Sequence, residues 1–171
     1  MRLFTEHGYD TTTIAEIASV AELAPRTVTG YFPNKMDMAT AVTDDLATSL
    51  AATYTAAPDD DSMTVIRRWL DTDVVNGDFE LFRLAASMIA TNPKLAGLTD
   101  AKVAAAAIGS ARMARDLSVP PDHPTIAICN AALGNAIGTY IGLLVNGELD
   151  EDLRRWFLGF LAAIFDAARL P

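Results

Sequence analysis

Residues 11–35 read TTTIAEIASVAELAPRTVTGYFPNK, a stretch that predicts two helices separated by a short break. Thr13 and Glu16 have the S/T-x-x-E spacing of a capping box, so the first helix should begin near Thr13. Its apolar residues recur at helical spacing and share one face: Ile14, Ile17, Ala18 and Ala21. The break covers residues 22–24, and Pro25 suits the first turn of a second helix, where its missing N–H leaves nothing unsatisfied. The stretch therefore predicts a compact two-helix unit.

The second helix has two different faces. Val28 and Phe32 lie four residues apart and are expected to pack inward. The outward positions carry hydrogen-bonding groups and an aromatic ring: Arg26, Thr27, Thr29 and Tyr31. Beyond this helix, Asn34 is expected to cap a third one that starts near Lys35, and the amides at such a start can hold a phosphate. A short helix with a polar outer face is typical of a helix presented to a DNA groove.

The wider stretch GYDTTTIAEIASVAELAPRTVTGYFPNKMDM, residues 8–38, resembles the DNA-binding segment of the TetR family of bacterial transcriptional repressors. The positions that match the family pattern in register are Gly8, Tyr9, Thr12, Ile14, Ile17, Ala18, Ala21, Thr27, Tyr31, Phe32 and Lys35. The resemblance implies an all-α chain, with a helix-turn-helix domain over residues 1–43 and a helical effector-binding and dimerisation domain over residues 44–171.

The sequence departs from the family pattern at three places. Glu22 stands where the family usually has the turn glycine, so a positive φ there would cost about 1 kcal/mol of strain. Ala24 replaces the usual serine cap, and Gly30 stands where many members have a basic or aromatic residue. Members also usually carry a longer segment before the residues that match RLFTEHGY. Residues 2–7 are therefore expected to be only the last turns of a truncated first helix.

Composition limits the classes of function. The chain has 171 residues and a formal net charge of −9, which argues against a general nucleic-acid coat. Even residues 1–43 hold three basic and five acidic residues, so attraction to DNA is expected to be local and modest. The single cysteine, Cys129, permits no internal disulfide and is expected to be a small buried hydrophobe. The start of the chain shows no signal-sequence pattern, so a cytoplasmic location is expected.

The remaining chain predicts helices throughout, separated by short breaks rich in Pro, Gly, Asp and Asn. Residues 124–146 carry no charge, and two interpretations compete for them. A membrane span would suit their length and the small residues Gly134, Gly138 and Gly142 at spacing four. Polar residues within the stretch and acidic flanks without a Lys or Arg belt argue against a span. The favoured prediction is a fully buried soluble helix with no membrane contact.

The last helix has a broad apolar stripe that includes Trp156, Phe157, Phe160 and Ile164. Part of this stripe should cover the core, and the rest is expected to meet a second copy. In TetR-like proteins the last two helices typically form a four-helix dimer interface. The resemblance therefore implies a homodimer through these four residues together with the three glycines.

Large side chains on the helices between these segments are candidates for an effector pocket, because the family encloses its effector there: Trp69, Phe79, Phe82, Met88, Met113 and Tyr140. Asn130 and Thr139 are candidate polar anchors. Ordinary core packing is the favoured interpretation for each aromatic or methionine residue taken singly. No cofactor is implied.

The resemblance implies a repressor that binds double-stranded, near-palindromic operator DNA and is released by a small, largely apolar effector. Arg26, Thr27 and Thr29 are expected at base edges or nearby phosphates, and Thr13, Tyr31 and Lys35 at phosphates. An enzyme is disfavoured, because no metal-ligand spacing, phosphate-binding glycine loop or nucleophile near a base is present. The alternative is a dimeric small-molecule-binding or protein-interaction module of the same fold that has lost DNA binding.

Overall fold

Helices make up the computed structural model of this chain, which describes residues 1–97 and 99–169. The α-helices are α1 (Arg2–His7), α2 (Ile14–Val20), α3 (Pro25–Tyr31), α4 (Lys35–Ala56), α5 (Ser62–Trp69), α6 (Phe79–Thr91), α7 (Asp100–Leu117), α8 (Pro124–Asn146) and α9 (Glu151–Ala168). A π-helical turn (Leu70–Val74) continues α5, and a 3-10 turn (Pro93–Ala96) follows α6. No strand occurs within these residues, and the predicted all-α fold is confirmed.

The capping box predicted at the start of α2 is present. The backbone N–H of Glu16 donates to Thr13 Oγ1 over 3.2 Å, and the N–H of Thr13 donates to Glu16 Oε2 over 2.7 Å. Pro25 occupies the first position of α3, as predicted, and Ala24 before it offers no side-chain cap. The break between the helices is therefore set by local residue chemistry.

Side-chain caps also set the start of later helices. The carboxylates of Asp61, Asp78 and Asp150 accept hydrogen bonds from backbone N–H groups in the first turns of α5, α6 and α9. Such a bond satisfies one of the N–H groups that a helix start leaves without a partner. At the start of α8, His123 Nδ1 accepts a 3.3 Å bond from the N–H of Thr125.

The chain divides into two compact units. The first unit comprises Met1–Asp45 and Asp78–Thr99, and its core contains Phe4, Ala39, Met88 and Leu95. The domain boundary that the sequence predicts at residue 43 stays a prediction. The sequence did not place residues 78–99, which include α6, with the N-terminal residues. Those residues pack there because α6 lies against α1.

The second unit comprises Leu46–Gly77 and the chain from Asp100 onward. In it α5 packs against α7 and α9, and α8 packs against α7 and α9. Its large buried side chains include Trp69, Leu70, Met113, Tyr140 and Leu161. These side chains form the hydrophobic core of a small helical bundle.

The prediction that α8 is fully buried is wrong. The helix is long and apolar enough to cross a membrane by length and composition alone, yet only 28% of its most apolar window is buried. A Cβ atom added at Gly134, Gly138 or Gly142 would meet no other atom within 4 Å. The sequence shows that no side of this helix carries a charged residue. It does not show that the other helices of the same chain bury every side of it.

Glu22 adopts a φ of +55°, the left-handed conformation that the family glycine suggested. We expect Glu22→Gly to raise the free energy of unfolding by about 1 kcal/mol, since glycine takes this conformation without a Cβ clash. Urea denaturation followed by circular dichroism measures the change.

Ala21→Gly is the matched control, because Ala21 has an ordinary helical φ of −80°. The control should lower the free energy of unfolding by roughly 0.5–1 kcal/mol. A Glu22→Gly protein that is less stable than its parent would contradict the strain argument.

Candidate nucleic-acid interface

Helix α3 presents most of the predicted DNA-contacting side chains to solvent. Arg26 and Thr29 are exposed, and Tyr31 retains 77% of its accessible surface. Thr27 is half-buried, so it is less available than the sequence suggested. Val28 points inward and is buried, as predicted from its spacing. The exposed surface of α3 therefore carries a guanidinium, a hydroxyl and a phenol.

Helix α2 holds α3 through the connecting turn. The backbone N–H of Leu23 donates to the carbonyl of Ala18 over 2.8 Å, which closes the turn behind α2. The N–H of Thr27 donates to the carbonyl of Ala24 over 2.8 Å and begins α3. Buried Ala18 and Val28 supply apolar surface to the pair. The two helices are thereby fixed as one short supersecondary unit.

Thr13 uses its hydroxyl within the capping box. Its Oγ1 accepts from the N–H of Glu16 and donates to Glu16 Oε2 over 2.9 Å. The backbone and hydroxyl bonds from Thr13 lower the pKa of the Glu16 carboxyl below its usual value. Thr13 itself is exposed, and its predicted phosphate contact stays a prediction.

Lys35 is engaged within the first unit. Its Nζ donates to the carbonyl oxygens of Tyr9 (2.6 Å), Thr12 (3.0 Å) and Asp10 (3.3 Å). It also lies 4.4 Å from the centroid of the Tyr9 ring. The predicted role of Lys35 at phosphates therefore competes with bonds that the side chain already makes.

The first unit is acidic, with five Lys and Arg residues against nine Asp and Glu residues. Arg2 lies 4.0 Å from Glu80, and Lys94 pairs with Asp10. The hydrogen bond from Lys94 lowers the pKa of the Asp10 carboxyl. Arg26 is exposed on α3 and is well placed to meet an anionic partner.

Comparison with known proteins gives one result for this domain. Residues 1–42 match the family model described as bacterial regulatory proteins, tetR family. The N-terminal domain belongs to the TetR family. No curated protein and no solved structure matched the chain. The match covers the helix-turn-helix domain, and members of the TetR family are transcriptional regulators that bind DNA through such a domain.

The TetR-type domain has contacts that sequence reasoning missed. The backbone N–H of Tyr9 donates to Asn92 Oδ1 over 2.9 Å, and the Lys94 ammonium pairs with Asp10. Asn92 and Lys94 follow α6, more than eighty residues from their partners. Nothing in the spacing of the sequence signals such pairs, because they depend on how α6 packs against α1.

The residues predicted for an effector pocket are divided between the two units. Met88 lies in the core of the first unit, and Phe79 and Phe82 are half-buried on α6 in the same unit. Trp69, Met113 and Tyr140 are buried in the second unit, where Trp69 Nε1 donates to Ser49 Oγ over 2.7 Å. Asn130 Nδ2 donates to Ser110 Oγ over 2.7 Å, whereas Thr139 is exposed. A pocket that uses this whole set stays a prediction.

The residues predicted for a dimer interface also separate into inner and outer groups. Phe157 is buried against Tyr140, with ring centroids 5.2 Å apart, so it belongs to the core. Ile164 is half-buried and lines a groove of about 380 Å³ beside Cys129. Trp156 and Phe160 point outward with 62% and 46% of their surface exposed. Their rings stack with centroids 5.5 Å apart.

We expect Thr13→Ala to lower the free energy of unfolding by about 1 kcal/mol, because it removes the acceptor for the Glu16 N–H at the start of α2. Urea denaturation measures the change. Thr13→Ser retains the oxygen and should stay close to the parent. Equal losses in both variants would show that the methyl group, and not the cap, is what matters.

Proposed function

We propose that this chain is a ligand-responsive repressor that binds a near-palindromic operator as a homodimer and is released by a small, largely apolar effector. The exposed face of α3, on a TetR-type helix-turn-helix, is the observation that carries this proposal. Regulation of this kind takes place where the DNA is, in the cytoplasm, and it requires no membrane and no catalysis.

Base recognition is assigned to the outward residues of α3. Arg26 is the best candidate for a specific contact, since a guanidinium binds the O6 and N7 atoms of guanine with two hydrogen bonds. Thr29 and half-buried Thr27 can add hydroxyl contacts to bases or phosphates. Tyr31 is exposed enough to reach the DNA backbone. A helix of seven residues suffices, because recognition helices use residues near their N-terminal end.

Dimer formation is supported by the outer α8–α9 face, an uncharged set of exposed residues: Ile128, Ala131, Gly134, Asn135, Gly138, Thr139, Trp156, Gly159, Phe160, Ala163 and Ala167. An exposed apolar patch of this kind is typical of a protein interface. Open space over Gly134 and Gly138 would let a second backbone approach closely. A stable pair would bury roughly 1,600 Å². Its two α3 helices would read half-sites about one DNA turn apart.

Release by an effector would follow from linkage. An effector that prefers a dimer with wrongly spaced α3 helices lowers operator affinity by the ratio of its two affinities. In the second unit, Tyr140 is fully buried, and Arg154 donates a hydrogen bond to Asp71. Hydrogen bonding to Asp71, and then to Tyr140, raises the pKa of the Arg154 guanidinium. These side chains would give a largely apolar effector its polar anchor.

The charge of the first unit favours a second candidate function, a dimeric binding module of the same fold that does not bind DNA. Acidic residues outnumber basic ones there, and Arg2, Lys35 and Lys94 have intramolecular partners. Fluorescence anisotropy against the gene's own upstream DNA and a scrambled duplex separates the two. Selective binding supports the repressor. Equal, weak binding to both duplexes, repeated in a genome-wide selection, would favour the module.

We expect Arg26→Ala to reduce the preference for the operator over single-base variants by about 1–3 kcal/mol, or about 5- to 150-fold at one base pair. Anisotropy titrations with a set of substituted duplexes measure the preference. Arg67→Ala is the matched control, since Arg67 is an exposed arginine of the second unit. Undiminished preference in Arg26→Ala would remove this residue from base recognition.

We expect Phe160→Glu to convert the dimer to monomer at micromolar concentration, because it places a charge in the centre of the outer α8–α9 face. Sedimentation equilibrium measures the mass. Val103→Glu is the control, since Val103 on α7 has a similar exposure of 50% against 46% for Phe160. A Phe160→Glu protein that stays dimeric would place the interface elsewhere.

A further inference from the structure

The ammonium of Lys35 is saturated by carbonyl oxygens. An ammonium has three hydrogens, and Lys35 Nζ has three backbone acceptors: the carbonyls of Tyr9, Asp10 and Thr12, at 2.6, 3.3 and 3.0 Å. The side chain is half-buried, and the face of the Tyr9 ring closes over the charge. To bind a phosphate, Lys35 would have to give up bonds to this loop.

The loop that Lys35 binds, residues 9–12, is itself a built structure. Thr12 is 1% exposed, and its hydroxyl donates to the carbonyl of Gly8 (2.8 Å), with the carbonyl of Leu3 as a second acceptor 3.2 Å away. Gly8 has a φ of +87°, which turns the chain sharply after α1. On another side, Asn92 accepts the N–H of Tyr9. Lys35 therefore completes a rigid connection between α1 and α2.

This connection lies directly before α2 and α3, the two helices of the helix-turn-helix. Thr13, the next residue after Thr12, caps α2, and α2 holds α3 through the bond between Ala18 and Leu23. Lys35 stands in the first turn of α4. Its ammonium thus ties the start of α4 to the start of α2, and through α2 to the orientation of α3.

We propose that Lys35 is a positioning residue, which holds α2 and α3 at the angle that the operator requires. It acts through the carbonyls of residues 9–12 and makes no phosphate contact. The inference rests on the proposed function, because orientation of α3 has a consequence only for a protein that reads DNA.

A positioning residue and a phosphate contact differ in how affinity depends on salt and on sequence. Loss of a phosphate contact weakens binding to all duplexes alike and reduces the slope of log K against log salt by about 1. Loss of orientation weakens binding to the operator but spares the sequence-independent part. The two roles can therefore be separated with one set of titrations.

The test compares Lys35→Met, Lys35→Arg and the parent on the operator and on a scrambled duplex, over a range of salt. Lys94→Met is the matched control, since it removes a lysine charge beside the same loop but leaves the three carbonyl bonds in place. We expect Lys35→Met to lose about tenfold in operator affinity, the size of one lost base contact. Its affinity for the scrambled duplex and its salt slope should equal those of Lys94→Met.

Lys35→Arg guards against a variant that fails to fold. It keeps the charge and suits phosphate, but its planar fork does not match three convergent carbonyls. We expect it to lose operator preference as Lys35→Met does. Parent-like or tighter operator binding by Lys35→Arg would overturn the proposal.

Equal loss on both duplexes in Lys35→Met, with a shallower salt slope than that of Lys94→Met, would also overturn the proposal and restore the phosphate contact. Unchanged operator affinity with only a lower Tm would reduce Lys35 to a stabilising residue. The parent protein tests the proposed function separately. If the parent shows no preference for any DNA sequence, both the proposed function and this inference are overturned.

Discussion

Three carbonyl oxygens in the loop of residues 9–12 need hydrogen-bond donors, and the single ammonium of Lys35 supplies them. The bonds to Tyr9 and Thr12 are partly buried, and buried carbonyls without donors are costly, so this contact makes the sharp connection between α1 and α2 tolerable. Thr12 fills the inside of the same loop, and Tyr9 covers the charge from outside. The capped start of α2, and with it the placement of α3, depends on that arrangement.

A different constraint shapes the second unit, namely the need to bury the apolar surface of the uncharged helix α8. Helix α8 covers the core with Ile126, Leu133 and Tyr140, and its opposite side carries glycines over which the described part of the chain leaves open space. Helix α9 divides in the same way, since Phe157 and Leu161 face inward and Trp156 and Phe160 face outward. One stripe therefore builds the bundle, and the other is free for the proposed pairing of two copies.

Electrostatics bears on how such a regulator would find its site. The first unit carries a net negative charge, and Arg2, Lys35 and Lys94 are occupied within it. Long-range attraction to DNA is therefore weak, and the proposed selectivity rests on short-range contacts by Arg26 and its neighbours on α3. Asn92 and Lys94, which follow α6, bind Tyr9 and Asp10 in the loop between α1 and α2. A movement of α6 would therefore displace the loop that precedes the helix-turn-helix.

The sequence by itself determined where α2 and α3 start, because capping and helical periodicity are local: Thr13 with Glu16 in α2, and Pro25 in α3. It also determined the TetR-type N-terminal domain, which the family match over residues 1–42 confirms. Only the tertiary structure decided that Lys35 binds carbonyls, that Met88 joins Phe4, and that only 28% of the apolar window of α8 is buried. These features depend on which distant segment packs against each side chain, and local spacing carries no record of that choice.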